Sequence, residues 1–92
     1  MVNLAVNKRP LSLGPDGITR SPDKENELNK LAAGIFASQG GKEFLRYLRS
    51  ITTQAVLGPH AATNELFHRE GMRFLVGIIE QRIARGQNGT SD

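Results

Sequence analysis

Phe67-His68-Arg69-Glu70-Gly71-Met72-Arg73-Phe74-Leu75-Val76-Gly77-Ile78-Ile79 is the stretch that decides the reading of this chain. At 100° per residue Phe67, Gly71, Phe74, Leu75 and Ile78 share one face of a helix. Met72, Val76, Ile79 and Ile83 widen the apolar arc to roughly 200°, about twice the stripe of an ordinary surface helix. An arc that wide predicts two packing partners: the neighbouring helix, and either the first helix or another chain. Arg69, Arg73 and Glu80 lie opposite. Gly71 and Gly77 each cost about 1 kcal/mol against Ala in a helix interior, so a second backbone is expected to approach closely at Gly71.

Outward from that stretch, the third helix is expected from Thr63 or Asn64 to about Ala84, ending before Gly86. Upstream, Gly58-Pro59 closes a second helix spanning 42–57, because Pro disfavours helical geometry in the residue before it. Phe44, Leu48, Ile51 and Ala55 form its apolar stripe, widened by Leu45 and Val56. Lys42, Arg46 and Arg49 fall within about 60° of each other and read as a basic strip with no acid beside it. The linker 58–62 is too long and too constrained by Pro59 for a helix-turn-helix.

A first helix spans 22–38. Ser21 is its N-cap, Pro22 its first residue, and Asp23 and Glu25 face the positive end of its dipole. Leu28, Leu31, Ala32, Ile35 and Phe36 make one face, and Gly40-Gly41 supplies the stop. Residues 1–20 read as an extended arm. Pro10, Gly14, Pro15 and Gly17 break every periodic run, Pro15-Asp16-Gly17 is a turn, and so little apolar matter predicts order only against a partner chain. No strand pairs or repeats are expected. The fold class is all-α: a short helical hairpin (42–57 and 63–84) with a preceding helix (22–38) and the arm. The corresponding organisation is an arm 1–20, a helical domain 21–86 and a polar tail 87–92.

Composition bounds the rest. With 92 residues the chain makes one domain whose private core is marginal, which favours oligomerisation. There is no cysteine, so disulfides and thiolate metal sites are excluded. Met1 to Val6 is too short an apolar patch for a secretory leader, and no window reaches the roughly 18 apolar residues of a membrane span. Net charge is +3, with the excess in the arm, including Lys8 and Arg9, and in the second helix. That charge permits contact with DNA or an acidic surface without requiring it.

Chemistry finds few footholds. His60 and His68 lack the i, i+4 spacing and third ligand of a zinc site. Gly40-Gly41 has neither the preceding strand nor the Lys-Ser/Thr of a phosphate loop, and three short helices leave little room for a nucleophile with its base. The expectation is a protein without enzymatic activity, cofactor or metal. Arg69 and Arg73, one turn apart, are expected to present guanidinium forks to a partner. Glu70, Gly71, Met72 and Val76 complete that expected interface, and Lys42, Arg46, Arg49, Lys8 and Arg9 are candidates for contact with DNA or an acidic partner.

Phe44-Leu45-Arg46-Tyr47-Leu48, followed by Leu66-Phe67-His68-Arg69-Glu70-Gly71-Met72-Arg73 with Leu75 and Ile79, resembles a family of small tailed-bacteriophage proteins. It is the family named after the nineteenth reading frame of a Bordetella phage, which pairs a Phe-Leu-x-aromatic-Leu helix with one bearing aromatic-x-Glu-Gly-x-Arg. The resemblance covers about 42–83, and Met72 departs from it where the family tends to have a second Arg. It implies a protein of the head and portal gene module, hence a virion component bound to portal, head or tail-connector subunits. On that footing the expectation is a multi-copy subunit, a homo-oligomeric ring at the portal or inner head serving DNA ejection or retention. The basic strip would touch packaged DNA non-specifically, with no membrane involved. Such a protein would reside in the virion, and in the host cytoplasm during assembly. The alternatives are a capsid cement or decoration protein and a free nucleic-acid-binding or host-modulating phage protein.

Overall fold

A computed structural model describes residues 10–55, 58–59 and 62–88. The chain is largely helical, as expected. A hairpin of two short strands, β1 (Ser12–Leu13) and β2 (Thr19–Arg20), precedes α1 (Pro22–Ala37), α2 (Gln39–Ile51) and α3 (Thr63–Gln87).

The strand pair corrects the reading of the arm. Ser12 pairs with Arg20 and Leu13 with Thr19 in antiparallel register. Between them Gly14-Pro15-Asp16-Gly17 closes the turn. The Gly17 amide donates to the Gly14 carbonyl, and the Gly14 amide donates to Ile18 at 2.9 Å. Gly17 sits at φ 83°, the left-handed geometry that lets a type I turn match the twist of a hairpin. Asp16 Oδ1 accepts from the Ile18 amide at 3.1 Å. Within residues 10–20, therefore, the chain supplies its own contacts where a partner chain was expected; Lys8 and Arg9 lie outside the described residues.

Helix α1 begins as the sequence dictates, with Ser21 Oγ accepting from the Lys24 amide at 3.2 Å. Its end differs. The helix stops at Ala37, and Ser38 serves both helices. Its hydroxyl donates to the Ile35 carbonyl and accepts from the Gly41 amide, which starts α2. Gly40 and Gly41 thus lie inside α2 and do not provide a left-handed stop. Gly41 is required for another reason: a Cβ there would strike the Ile35 carbonyl and the Phe36 backbone across the tight corner.

Helix α2 starts three residues earlier than expected and stops at Ile51, short of 57. Thr52 turns its hydroxyl back to the Leu48 carbonyl at 2.6 Å, the local bond by which Thr competes with a continuing helix. The backbone then tightens, with the amides of Thr52 and Gln54 both donating to the Arg49 carbonyl. Helix α3 runs three residues past its expected end, and Glu65 caps its start by accepting from the Ala62 amide at 3.2 Å.

Contacts between α1 and α3 advance in the same sense along both helices: Glu25 meets Arg82, and Asn29 reaches Arg82 and Gly86. This is the closest backbone packing in the chain, with α1 against α2 next. Helix α2 returns along α3 in the opposite sense, joined to it by long side chains, Arg49 to Glu80 and Arg73 to Thr52. The close approach expected at Gly71 occurs instead at Gly86, where a Cβ would overlap the Asn29 carbonyl and Ala33; nothing lies near a Cβ at Gly71.

The body measures 59 × 33 × 15 Å, a flattened shape. A slab this thin encloses little. Among the described residues only Leu45 and Val76 are buried hydrophobics.

Candidate functional site

Among the described residues more polar side chains are buried than apolar ones. Glu25 and Asn29, one turn apart on α1, converge on Arg82 of α3, and all three are buried. Arg82 Nη1 donates to Glu25 Oε1 at 2.5 Å and to Asn29 Oδ1 at 2.9 Å, while Nη2 reaches Glu25 Oε2 at 3.3 Å. The other side of Glu25 receives Arg20 Nη1 at 2.7 Å, and Arg20 Nη2 in turn pairs with Asp16 Oδ2 at 2.6 Å. Arg85 adds a longer approach to Glu25 at 3.9 Å and a bond to the Leu13 carbonyl.

One chain of alternating charge therefore ties hairpin, first helix and third helix together. Arg82, then Arg20, holds the Glu25 carboxyl below its ordinary range against the opposing effect of burial. The Arg20 guanidinium likewise lowers Asp16, helped by the Ile18 amide, and Asp16 and Glu25 hold Arg20 firmly charged. Fork-to-carboxylate bonds are directional, so the network fixes how α1 lies on α3.

That register leaves apolar side chains outside. Sequence periodicity places Leu28, Leu31, Ala32, Ile35 and Phe36 on the packed face of α1. The structure rotates the helix by roughly 80° from that choice, burying Glu25 and Asn29 and exposing Leu31 and Ile35. The physical reason is the buried guanidinium of Arg82, which demands a carboxylate, combined with the small pair Ala33 and Gly86 that lets the backbones close. On α3, Phe67, Phe74 and Leu75 are 72%, 60% and 59% exposed. Phe44 and Tyr47 of α2, with ring centroids 5.5 Å apart, are exposed as well.

The expected interface residues divide. Arg69 and Arg73 do not point forks outward. Arg69 Nη1 donates to the Ile51 carbonyl at 2.9 Å, Arg73 Nε to Thr52 at 3.2 Å, and Arg73 Nη2 to Ala55 at 2.5 Å. Both arginines donate to carbonyls at and just beyond the end of α2, where the helix leaves acceptors without intrahelical partners. Arg73 also pairs with Glu70 at 3.4 Å. Val76, expected at a partner interface, is buried inside the chain, whereas Gly71 and Glu70 are exposed and Met72 is half-buried.

Both arginines of the basic strip are likewise partnered. Arg46 pairs with Glu43 at 2.6 Å and Arg49 with Glu80 at 2.5 Å, correcting the expectation of a strip without acids. Lys42, Arg46, Arg49 and Glu80 line an open groove of about 450 Å³ floored by Leu45 and Ile83. Among the described residues no His, Cys, Asp and Glu cluster has metal-binding geometry, and no helix is long and apolar enough to cross a membrane.

Comparison of the chain with protein-family models, curated proteins and solved structures gives no match in any of the three.

Glu25, Asn29 and Arg82 escape sequence reasoning because Glu25 reads as a helix-dipole residue and Arg82 as a solvated cation. The available signal is positional. Arg82 falls three residues after Ile79 and seven after Leu75, inside an apolar arc, and Glu25 and Asn29 share a face at i, i+4.

Proposed function

We propose that this protein is a structural virion component of a tailed bacteriophage, a small multi-copy subunit bound at the portal or inner head, whose work is contact rather than chemistry. The observation that carries the reading is the uncovered apolar face of α3, Phe67, Phe74 and Leu75, on a slab with only two buried hydrophobics among its described residues. Side chains of that size left in water favour association by about 1.5–3 kcal/mol each when covered. The resemblance of Phe44–Leu48 and Leu66–Arg73 to the phage family supplies the setting.

Pairing of Arg46 and Arg49 with acids weakens the case for DNA as the main ligand. On this proposal contact with packaged DNA is secondary and non-specific, and neighbouring portal, head or tail-connector subunits are the principal partners. Mass spectrometry of purified particles is expected to find the chain at roughly a dozen copies, following ring symmetry. Hundreds of copies would shift the reading to a cement protein, and absence from particles would overturn it.

A further inference from the structure

We propose that the stripe Phe67, Gly71, Phe74, Ile78, bordered by Leu75, is a self-complementary seam on which a second copy of this chain docks antiparallel, with the two helices crossing at Gly71. It starts from the same uncovered face as the virion reading and names a second copy as that face's occupant, and the oligomeric state in solution tests it separately from presence in particles.

The spacing 67, 71, 74, 78 alternates four and three residues, the a/d pattern of a helix that meets another helix. These positions lie in the part of α3 beyond α1, whose contacts lie at Arg82 and Gly86. The hairpin reaches the stripe only at its edge, where Pro15 borders a groove with Phe74 and Ile78. With only the described residues around them, Phe67, Phe74 and Leu75 keep well over half of their surface exposed.

Amount and shape both fit a second copy. Taking about 200 Å² for a whole aromatic side chain, the exposed parts of Phe67, Phe74 and Leu75 amount to roughly 400 Å². A standard interface takes about 800 Å² from each partner, of which roughly 60% is apolar; half-buried Ile78 and the bare backbone at Gly71 make up the remainder. Gly71 is open, with nothing within 4 Å of a Cβ placed there. It has large apolar neighbours on either side, Phe67 and Leu75, each four residues away. In a two-fold antiparallel crossing centred on Gly71, Phe67 of each copy faces Leu75 of the other, the reciprocal pattern of an isologous contact. A parallel, in-register pair would instead set Phe67 against its own copy and continue to Arg85, which shares its angle on the helix, against Arg85.

Sedimentation equilibrium of the full chain at about 50 μM is expected to give twice the 10.1 kDa chain mass, since interfaces of this size have micromolar or tighter dissociation constants. Phe74→Glu is expected to weaken the dimer at least about tenfold while leaving helical circular dichroism intact, because Phe74 is exposed. Gly71→Leu fills the crossing point and is expected to give a folded monomer, since a helix gains from losing a glycine.

The chain has no cysteine, so orientation can be read by oxidation of single-cysteine variants. Gly71→Cys is expected to cross-link. Phe67→Cys is not, because antiparallel copies hold residue 67 about 12 Å apart along the axis, beyond the reach of a disulfide. A wild-type monomer at 50 μM overturns the proposal. So does a dimer that survives both Phe74→Glu and Gly71→Leu, or a Phe67→Cys cross-link as efficient as that of Gly71→Cys.

Discussion

The two halves of α3 are built on opposite plans. From Ile79 onward the helix is held by α1 through Arg82, Glu25 and Asn29, with Gly86 letting the backbones close. Before Gly77 it carries its largest apolar side chains in the open, and Val76 together with Arg69 and Arg73, which donate to carbonyls at and after the end of α2, ties it to the rest of the chain. Polar bonds set the internal register, and apolar area is left over for association. The difference teaches that burial in so thin a body goes to the groups whose bonds have direction.

Breaking the lock gives the largest effect. Arg82→Met leaves Glu25 charged and buried without its main partner, which typically costs about 3–5 kcal/mol, much of a small domain's stability. Urea melts followed by circular dichroism are expected to show that loss. Pairing it with Glu25→Leu restores most of it, since an ion pair exchanged for apolar side chains is often neutral or stabilising. The lock also predicts acid sensitivity. Glu25 is held below its ordinary value of 4.5 in the folded chain, so the unfolded chain binds that proton more readily. Its contribution is complete above about pH 4.5 and disappears as the pH falls through the folded value. Thermal melts between pH 7 and pH 3 are expected to show the decline, with Glu25→Gln less stable at pH 7 and flatter below pH 5.

One substitution of the same kind is expected to act with opposite sign in the two halves. Gly86→Ala forces a methyl onto Asn29 and Ala33 and is expected to cost about 1–3 kcal/mol. Gly71→Ala meets nothing among the described residues and is expected to stabilise the dilute monomer by up to about 1 kcal/mol. Equal effects in denaturant titrations would erase the contrast.

Smaller again is Arg73→Ala, which takes the guanidinium from the Ala55 carbonyl and leaves the Thr52 carbonyl with only the Ala55 amide; it is expected to cost about 1–2 kcal/mol, with α2 fraying at its end in NMR amide shifts. Arg46→Ala removes an exposed pair with Glu43 and is expected to shift stability by less than about 0.5 kcal/mol.

How much of this was legible in the sequence follows from what each signal measures. Helix number and the start of α1 came from apolar periodicity and Ser21-Pro22, local properties of the chain, whereas Gly58-Pro59 placed the end of α2 six residues too late, because Thr52 stops it at Ile51. The hairpin was half visible, since Pro15-Asp16-Gly17 marks its turn, but two-residue strands are too short to show alternation. Periodicity failed on α1 because it weighs Leu31 and Ile35 by hydrophobicity and knows nothing of Arg82, 47 or more residues away. The candidate site divided the same way. A close approach was expected at Gly71, but inside the chain it is at Gly86, and the two arginines flanking Gly71 serve carbonyls at and after the end of α2 that no local pattern identifies.

The 15 Å thickness of the body has a consequence for measurement. In so flat a body, with so few buried apolar side chains, the protection of most amides depends on local opening. Slow hydrogen exchange in the free protein should be confined to the turns of α1 and α3 around Glu25, Asn29 and Arg82. Any further slow amides in an assembled state would then be the partner's imprint, legible against an almost blank background.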